Sequence, residues 1–168
     1  MARIDVTQAI VYERLVARLI EQLPELNERS CFETLYVESP ALGVGGDFFV
    51  TVAPGGGSFD LTEGTGEVPA NDQLMELDTV LVTAYSRIKL QQPGRDELLL
   101  RDLTRGLFVL KGRILKALFA HDLETAGDDA FLRELLRPVR SYKPEYDIKQ
   151  GIGWLTMEFS ISWDWDLA

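Results

Sequence analysis

Residue types that could support covalent catalysis are scarce in this sequence of 168 residues. There is one cysteine, Cys31, and one histidine, His121, so any nucleophile paired with a histidine base would depend on His121. No serine lies in a GxSxG sequence, the turn that presents the nucleophile in many hydrolases. Cys31 suits a core position, and His121 suits the end of a predicted helix. We therefore predict no catalytic site.

Two groups of carboxylates could bind a metal or transfer protons. Asp60, Glu63 and Glu67 could ligate calcium, but their spacing differs from that of an EF-hand loop. Asp128 and Asp129 could form an acid–base pair, although a helix N-cap accounts for them with fewer assumptions. We expect no metal and no other cofactor.

Glycine-rich segments at 43–46 and 55–57 could bind phosphate through their backbone amides. A phosphate-binding loop has either the sequence GxxxxGK[ST] or GxGxxG between a strand and a helix, and neither segment has that context. Both are predicted to be turns.

The charges are unevenly distributed around a formal net charge of −10. Residues 30–86 include nine acidic residues and no lysine or arginine. Such a segment repels phosphate and argues against nucleic-acid binding, which requires clustered basic residues. The simpler interpretation is that these acids solvate a loop.

The chain has the length and composition of one globular domain, residues 1–168, without a disulfide framework. The start, MARIDVTQ, lacks the apolar region of a secretory signal, and no apolar run approaches the ~20 residues of a membrane span. We expect a protein made in the cytoplasm that does not enter a membrane.

Periodicity in the first half predicts a helix followed by short strands and a loop. The helix is capped by Asp5, carries apolar residues at helical spacing and ends before Pro24. Strands are expected within 30–39, with Phe32, Leu35 and Val37 in the core, and at 47–52. A long Gly-rich acidic loop is expected at 53–72, extending to about 76.

The second half predicts a long strand at 77–90 and a long helix from about 96 to 120. This helix has too much apolar surface for one stripe, so we expect it to contact the sheet and a second partner, either the first helix or a neighbouring subunit. A short helix at 128–138 precedes a hairpin that turns at 149–151, with Pro144 marking its first arm as irregular. In the last strand, Leu155 to Trp163 alternate between a buried and an exposed face.

Together these elements predict an α+β fold, with a mostly antiparallel sheet of four to five strands and helices packed on one side. Four basic residues, Arg101, Arg105, Arg113 and Lys116, fall near one line of the predicted long helix. They are either a solvated face or a surface for the acidic segment of a neighbouring copy. Trp154 and Trp165, at the ends of the last strand, are further interface candidates.

In its order of elements the chain resembles small phage tail-terminator and head-to-tail completion (neck) proteins. The likeness rests on three sequences in order: the amphipathic VYERLVARLIEQLP, the long strand DTVLVTAYSRI before a long helix, and the final hairpin strand TMEFSISWDWDL. It covers most of the chain as a pattern and involves no diagnostic motif. The family has no catalytic residues to transfer.

The resemblance implies a structural virion protein of the tail or neck that forms a ring, commonly six-fold, on the tail tube. Its partners would be other copies, the tail tube protein and neck or connector proteins. DNA would pass without specific binding, and Asp60, Glu63 and Glu67 would face the lumen and repel it. A tube or baseplate subunit is a related interpretation. The alternative from another class is a small cytosolic enzyme or ligand-binding domain with a Gly-rich lid loop.

Overall fold

The computed structural model describes residues 3–35, 46–60, 73–87, 100–119 and 136–166. Within these ranges the complete elements make an α+β fold, as predicted. The two helices are α1 (Arg3–Gln22) and α2 (Leu107–Leu118). The six strands are β1 (Cys31–Glu33), β2 (Phe48–Asp60), β3 (Gln73–Ser86), β4 (Arg137–Ser141), β5 (Glu145–Asp147) and β6 (Ile152–Asp166).

All six strands belong to one sheet in the order β1-β2-β3-β6-β4, with β5 also paired to β6. β1 runs parallel to β2, and every other pair is antiparallel. β4 and β5 follow each other along one edge of β6, so the sheet is five strands wide. The C-terminal strand is therefore an inner strand, paired with β3 from Gly153 to Asp166.

Both helices pack on the same face of the sheet, α1 over β1 and β2 and α2 over β3 and β6. On β6 the predicted alternation is confirmed, because Leu155, Met157, Phe159 and Ile161 are each at most 1% exposed. The helices contribute a matching apolar surface to this core, consisting of Val11, Leu15, Leu19, Leu23, Leu107, Leu110, Ile114 and Leu118.

The opposite face of the sheet is also buried at its centre, so the predicted exposed face of β6 is wrong there. Thr156 is only 9% exposed, and Thr83, beside it on β3, is fully buried. Phe49, Tyr85 and Ile152 form a second apolar cluster on this face, and the rings of Phe49 and Tyr85 stack with centroids 4.4 Å apart. The alternation of apolar and polar residues distinguishes the two faces of β6, but it does not indicate that both faces are buried.

The predicted loop begins eight residues too early, because residues 53–60 continue β2 and pair with β3. The pairing register shifts between Pro54 and Gly56, which marks a β-bulge. Gly56 has a φ of 88°, and Thr79 Oγ1 donates a hydrogen bond of 2.7 Å to its carbonyl oxygen. The glycines at 55–57 thus shape a strand and are not turn residues. Residues 61–72 lie outside the described ranges, and β3 begins within the predicted loop.

The predicted helix at 96–120 is interrupted, which is a second correction. Residues 100 and 101 are helical, a turn follows, and α2 begins at Leu107. Asp102 Oδ1 accepts hydrogen bonds from the backbone N–H groups of Thr104 and Arg105, both at 2.9 Å. A Cβ at Gly106 would lie 2.5 Å from the backbone nitrogen of Asp102, so the turn requires glycine. The Asp102 side chain thereby stabilises the turn that separates residues 100 and 101 from α2.

Three smaller expectations also fail. α1 begins at Arg3, so Asp5 lies inside the helix and is not its cap. Leu35 follows the end of β1 and is 78% exposed. Pro138 lies in β4, not at the end of a helix. Arg137 likewise lies in β4, and residues 128–135 of the predicted helix, and Val37, lie outside the described residues.

The predicted C-terminal hairpin is confirmed in β5 and β6. Asp147 Oδ1 accepts hydrogen bonds from the backbone N–H groups of Lys149 and Gln150, and Gly151 completes the turn with a φ of 65°. Pro144 falls in the break between β4 and β5, as expected for an irregular edge.

Candidate assembly surface

Within the described residues no group of three or more histidine, cysteine or acidic side chains could hold a metal ion. The Cys31 side chain is 1% exposed, and burial raises the pKa of its thiol to about 12. A thiol in this setting is protonated near neutral pH and is a poor nucleophile. His121, Asp128 and Asp129 lie outside the described ranges. In the described part of the chain, neither helix meets the length and hydropathy of a membrane span.

The interruption before α2 separates the four basic candidates. Arg105 lies in the turn and pairs with Asp47, with Nη1 and Oδ1 2.9 Å apart. Arg113 lies on α2 and pairs with Glu25, with Nη2 and Oε2 2.5 Å apart. This hydrogen bond is the main reason that the pKa of Glu25 is lowered. Both arginines thus contact acids of their own chain.

Arg101 and Lys116, in contrast, are exposed, and no ion pair joins either one to another described residue. Arg101 precedes the turn and Lys116 lies in the last turn of α2, where a cation is favoured by the helix dipole. Of the four basic candidates, these two are the ones that form no ion pair within the described part of the chain.

The two tryptophan candidates sit at opposite ends of β6. Trp154 is half-buried against the second apolar cluster, with its ring centroid 6.5 Å from that of Tyr85. This ring therefore contributes to packing within the chain. Trp165 is paired in register with Leu74 near the far end of the ribbon formed by β2, β3 and β6.

Of the three acidic candidates, Asp60 is the last residue of β2 and pairs in register with Met75. Glu63 and Glu67 lie outside the described residues. Two other acids of the base-free segment, Glu76 and Asp78, lie on β3, where Asp78 is 7% exposed. They raise the pKa of the Tyr12 hydroxyl, although its burial is the larger cause.

As expected of the long helix, α2 contacts a second partner besides the sheet, namely α1, and it also carries apolar residues that remain exposed. Phe108 is 49% exposed and Phe119 is 65% exposed, whereas Leu115 between them is partly buried. With Gly112 these residues are spaced by four, three and four, which places them on one helix face. We call Phe108, Gly112, Leu115 and Phe119 the α2 stripe. The spacing was visible in the sequence, but the boundary between core and surface was not.

Comparisons with known proteins found matches among solved structures only. No protein-family model matches the chain, and no curated protein matches it. A solved structure of the virion of a native gene transfer agent (GTA) particle contains a chain similar to this one, with a TM-score of 0.47 and 13% sequence identity. The match covers 90% of this chain and 95% of that chain. At this level of likeness, function has to be argued from the residues.

Proposed function

We propose that this protein is a structural component of a phage-like virion, a tail terminator or neck protein that forms a ring at the end of a tail tube. The observation that carries the proposal is the α2 stripe, because its two phenylalanines remain exposed although the core face of the same helix is filled. Exposed aromatic side chains grouped on one rigid element are typical of protein–protein contacts. The order of elements, from N-terminal amphipathic helix to final hairpin, supports the same role.

The ring is proposed to be a homo-oligomer, six-fold by resemblance to tail terminators, that contacts the tail tube protein on one side and neck or connector proteins on the other. DNA passes through it without specific binding. Asp60, Glu63 and Glu67 are proposed to face the lumen, since the segment that contains them has no basic residue to attract phosphate.

Deleting the gene from its own particle-producing genome tests the role directly. Loss of a terminator should give tails of uncontrolled length without attached heads, and loss of a neck component should give tails of normal length that remain unattached. Electron microscopy of the particles measures both outcomes. Intact particles of normal length would overturn the proposal.

Replacing Asp60, Glu63 and Glu67 with lysine tests the lumen assignment. We expect particles to assemble normally but to deliver DNA more slowly, because cations in the channel would hold the phosphate backbone. Replacing the same residues with asparagine or glutamine is the matched control. Normal delivery by the lysine variant would contradict the assignment.

A ligand screen separates this role from the enzyme or ligand-binding alternative. A ligand that binds the folded state raises its thermal stability by mass action. Part of the proposed lid belongs to a strand, because Gly56 and Gly57 pair with β3 and Gly55 lies at the bulge in β2. A clear stabilisation by a small molecule would favour the alternative.

A further inference from the structure

The α2 stripe lies on one lateral side of the molecule and is bordered by two lysines. Lys111 flanks the stripe on the side of β4, where its Nζ donates to Ser141 Oγ at 2.9 Å. Lys116 flanks the other side and is exposed. A partner for this surface therefore needs apolar side chains bordered by acids.

Gly112 is the member of the stripe that packing within the chain does not explain. A Cβ built at Gly112 has no heavy atom within 4 Å, so alanine would fit without adjustment. Glycine inside a helix is less favourable than alanine because it loses more backbone freedom on folding. Its use here suits the close approach of another polypeptide to the helix backbone.

The opposite lateral side has the complementary character. There α1 covers β1 and β2, and Arg18 Nε donates to the Ala117 carbonyl oxygen, which fixes the flank of α1 that faces α2. The other flank carries Val16 and Ile20, both partly buried, beside β1. Leu35, just beyond β1, is 78% exposed.

Acids border this second surface. Glu13 on α1 and Glu33 at the end of β1 are both exposed. Glu33 belongs to the segment between Arg29 and Arg87, which contains no basic residue, whereas Glu13 is followed directly by Arg14. We call Val16, Ile20, Leu35, Glu13 and Glu33 the α1–β1 side.

We propose that the α2 stripe of one copy packs against the α1–β1 side of the next copy, with Lys116 facing Glu13 and Glu33. The inference rests on the proposed ring and names its contact. Since β1 and β4 lie at opposite edges of the sheet, the two surfaces point in opposite directions. The contact is therefore heterologous, and a heterologous contact closes into a ring when the rotation between copies permits.

Two surface variants test the contact because each removes one half of it. Phe119→Asp changes the α2 stripe, and Leu35→Asp changes the α1–β1 side. Both residues are largely exposed, so circular dichroism should report an unchanged fold. Each variant alone should associate about thirtyfold more weakly than wild type, the effect typical of losing a central contact. Ile148→Asp is the matched control, since Ile148 is 81% exposed in the β5–β6 turn and belongs to neither surface.

Mixing the two variants distinguishes this geometry from a symmetric one. Phe119→Asp retains a normal α1–β1 side and Leu35→Asp retains a normal α2 stripe, so an equimolar mixture should form heterodimers that go no further. Light scattering measures the mass. If two α2 stripes instead packed against each other, Leu35→Asp would associate like wild type. Mixing it with Phe119→Asp would then produce no new heterodimer.

Three results would overturn the contact: either variant associating like wild type, a mixture that stays monomeric, or wild type that is monomeric at every concentration. These results are separable from failure of the proposed function. Normal tails with Phe119→Asp, together with defective tails after gene deletion, would reject this contact and retain the ring. Normal tails after deletion would reject the ring itself.

Discussion

Thr83 of β3 and Thr156 of β6 are paired in register on adjacent strands, and their hydroxyl oxygens lie 3.0 Å apart. Both side chains are buried, on the face of the sheet opposite the two helices. A hydroxyl–hydroxyl hydrogen bond in this position satisfies two polar groups that water does not reach.

Thr83→Val should therefore destabilise the fold by about 1–3 kcal/mol, because the Thr156 hydroxyl is left buried without its partner. The double variant Thr83→Val with Thr156→Val removes both hydroxyls and should recover most of that loss. Urea denaturation of the wild type, both single variants and the double variant completes the cycle. Simple addition of the two single losses would show that the hydroxyls are not coupled.

Two glycines close together in the sequence should respond oppositely to alanine. Gly112→Ala should raise the free energy of unfolding by about 0.5–1 kcal/mol, since the new methyl group meets open space and the helix gains a better helix former. Gly106→Ala should lower it, because the Cβ would press on the backbone nitrogen and carbonyl oxygen of Asp102, at 2.5 and 2.6 Å.

Chemical denaturation at low protein concentration keeps self-association out of this comparison. An increase in stability for Gly106→Ala would mean that the turn before α2 accommodates a side chain. A decrease for Gly112→Ala would mean that this position is not open.

Cys31 should be unreactive in the native protein. Its side chain is buried and its thiol pKa is raised to about 12, so very little thiolate forms near pH 8 and reagents cannot reach it. Labelling with a thiol-reactive disulfide reagent should proceed only as the protein opens and should become rapid in denaturant. In the Cys31→Ala background, Ile148→Cys provides an exposed control that should react at once. Equal rates for Cys31 and this control would contradict the burial.

Stability should fall in acid partly through Asp102. Backbone N–H groups of Arg105 and then Thr104 hold the pKa of this carboxyl below its usual value. Because the folded pKa is lower than the unfolded one, ionised Asp102 stabilises the fold above the unfolded pKa of about 3.9, and this contribution disappears as the pH falls through the folded pKa.

Asp102→Asn keeps an oxygen that can accept the same hydrogen bonds but removes the charge. The variant should be less stable than wild type at pH 7, and the difference should shrink as the pH falls through the folded pKa and the wild-type carboxyl becomes protonated. Urea midpoints at several pH values measure this. A difference that does not change with pH would assign the effect to hydrogen-bond geometry and not to charge.

Local patterns in the sequence were sufficient for much of the fold. The spacing of Leu15, Leu19 and Leu23 gave α1 and its buried face, and Pro24 gave its end. The alternation from Leu155 to Ile161 gave the core face of β6, and Lys149-Gln150-Gly151 gave the turn before it. Each of these features depends on residues close together in the sequence, so hydrophobic periodicity and turn residues are sufficient to predict it.

The candidate assembly surface was only partly accessible in this way. The excess of apolar residues between 96 and 120 indicated a helix with two contacts, but not which phenylalanines remain exposed. Arg105 and Arg113 looked equivalent to Lys116 in sequence, and their partners Asp47 and Glu25 became evident only in the fold.

The sequence by itself determined the composition of each face, the base-free acidic segment and the approximate order of elements. Tertiary structure decided that Gly55–Gly57 belong to a strand, that the second face of the sheet is buried at its centre, and which charges are already paired. The physical reason is the same in each case. The partner strand of a β-strand, the residues that bury a sheet face and the carboxylate that pairs with an arginine are all distant in sequence. A local sequence pattern therefore does not identify them.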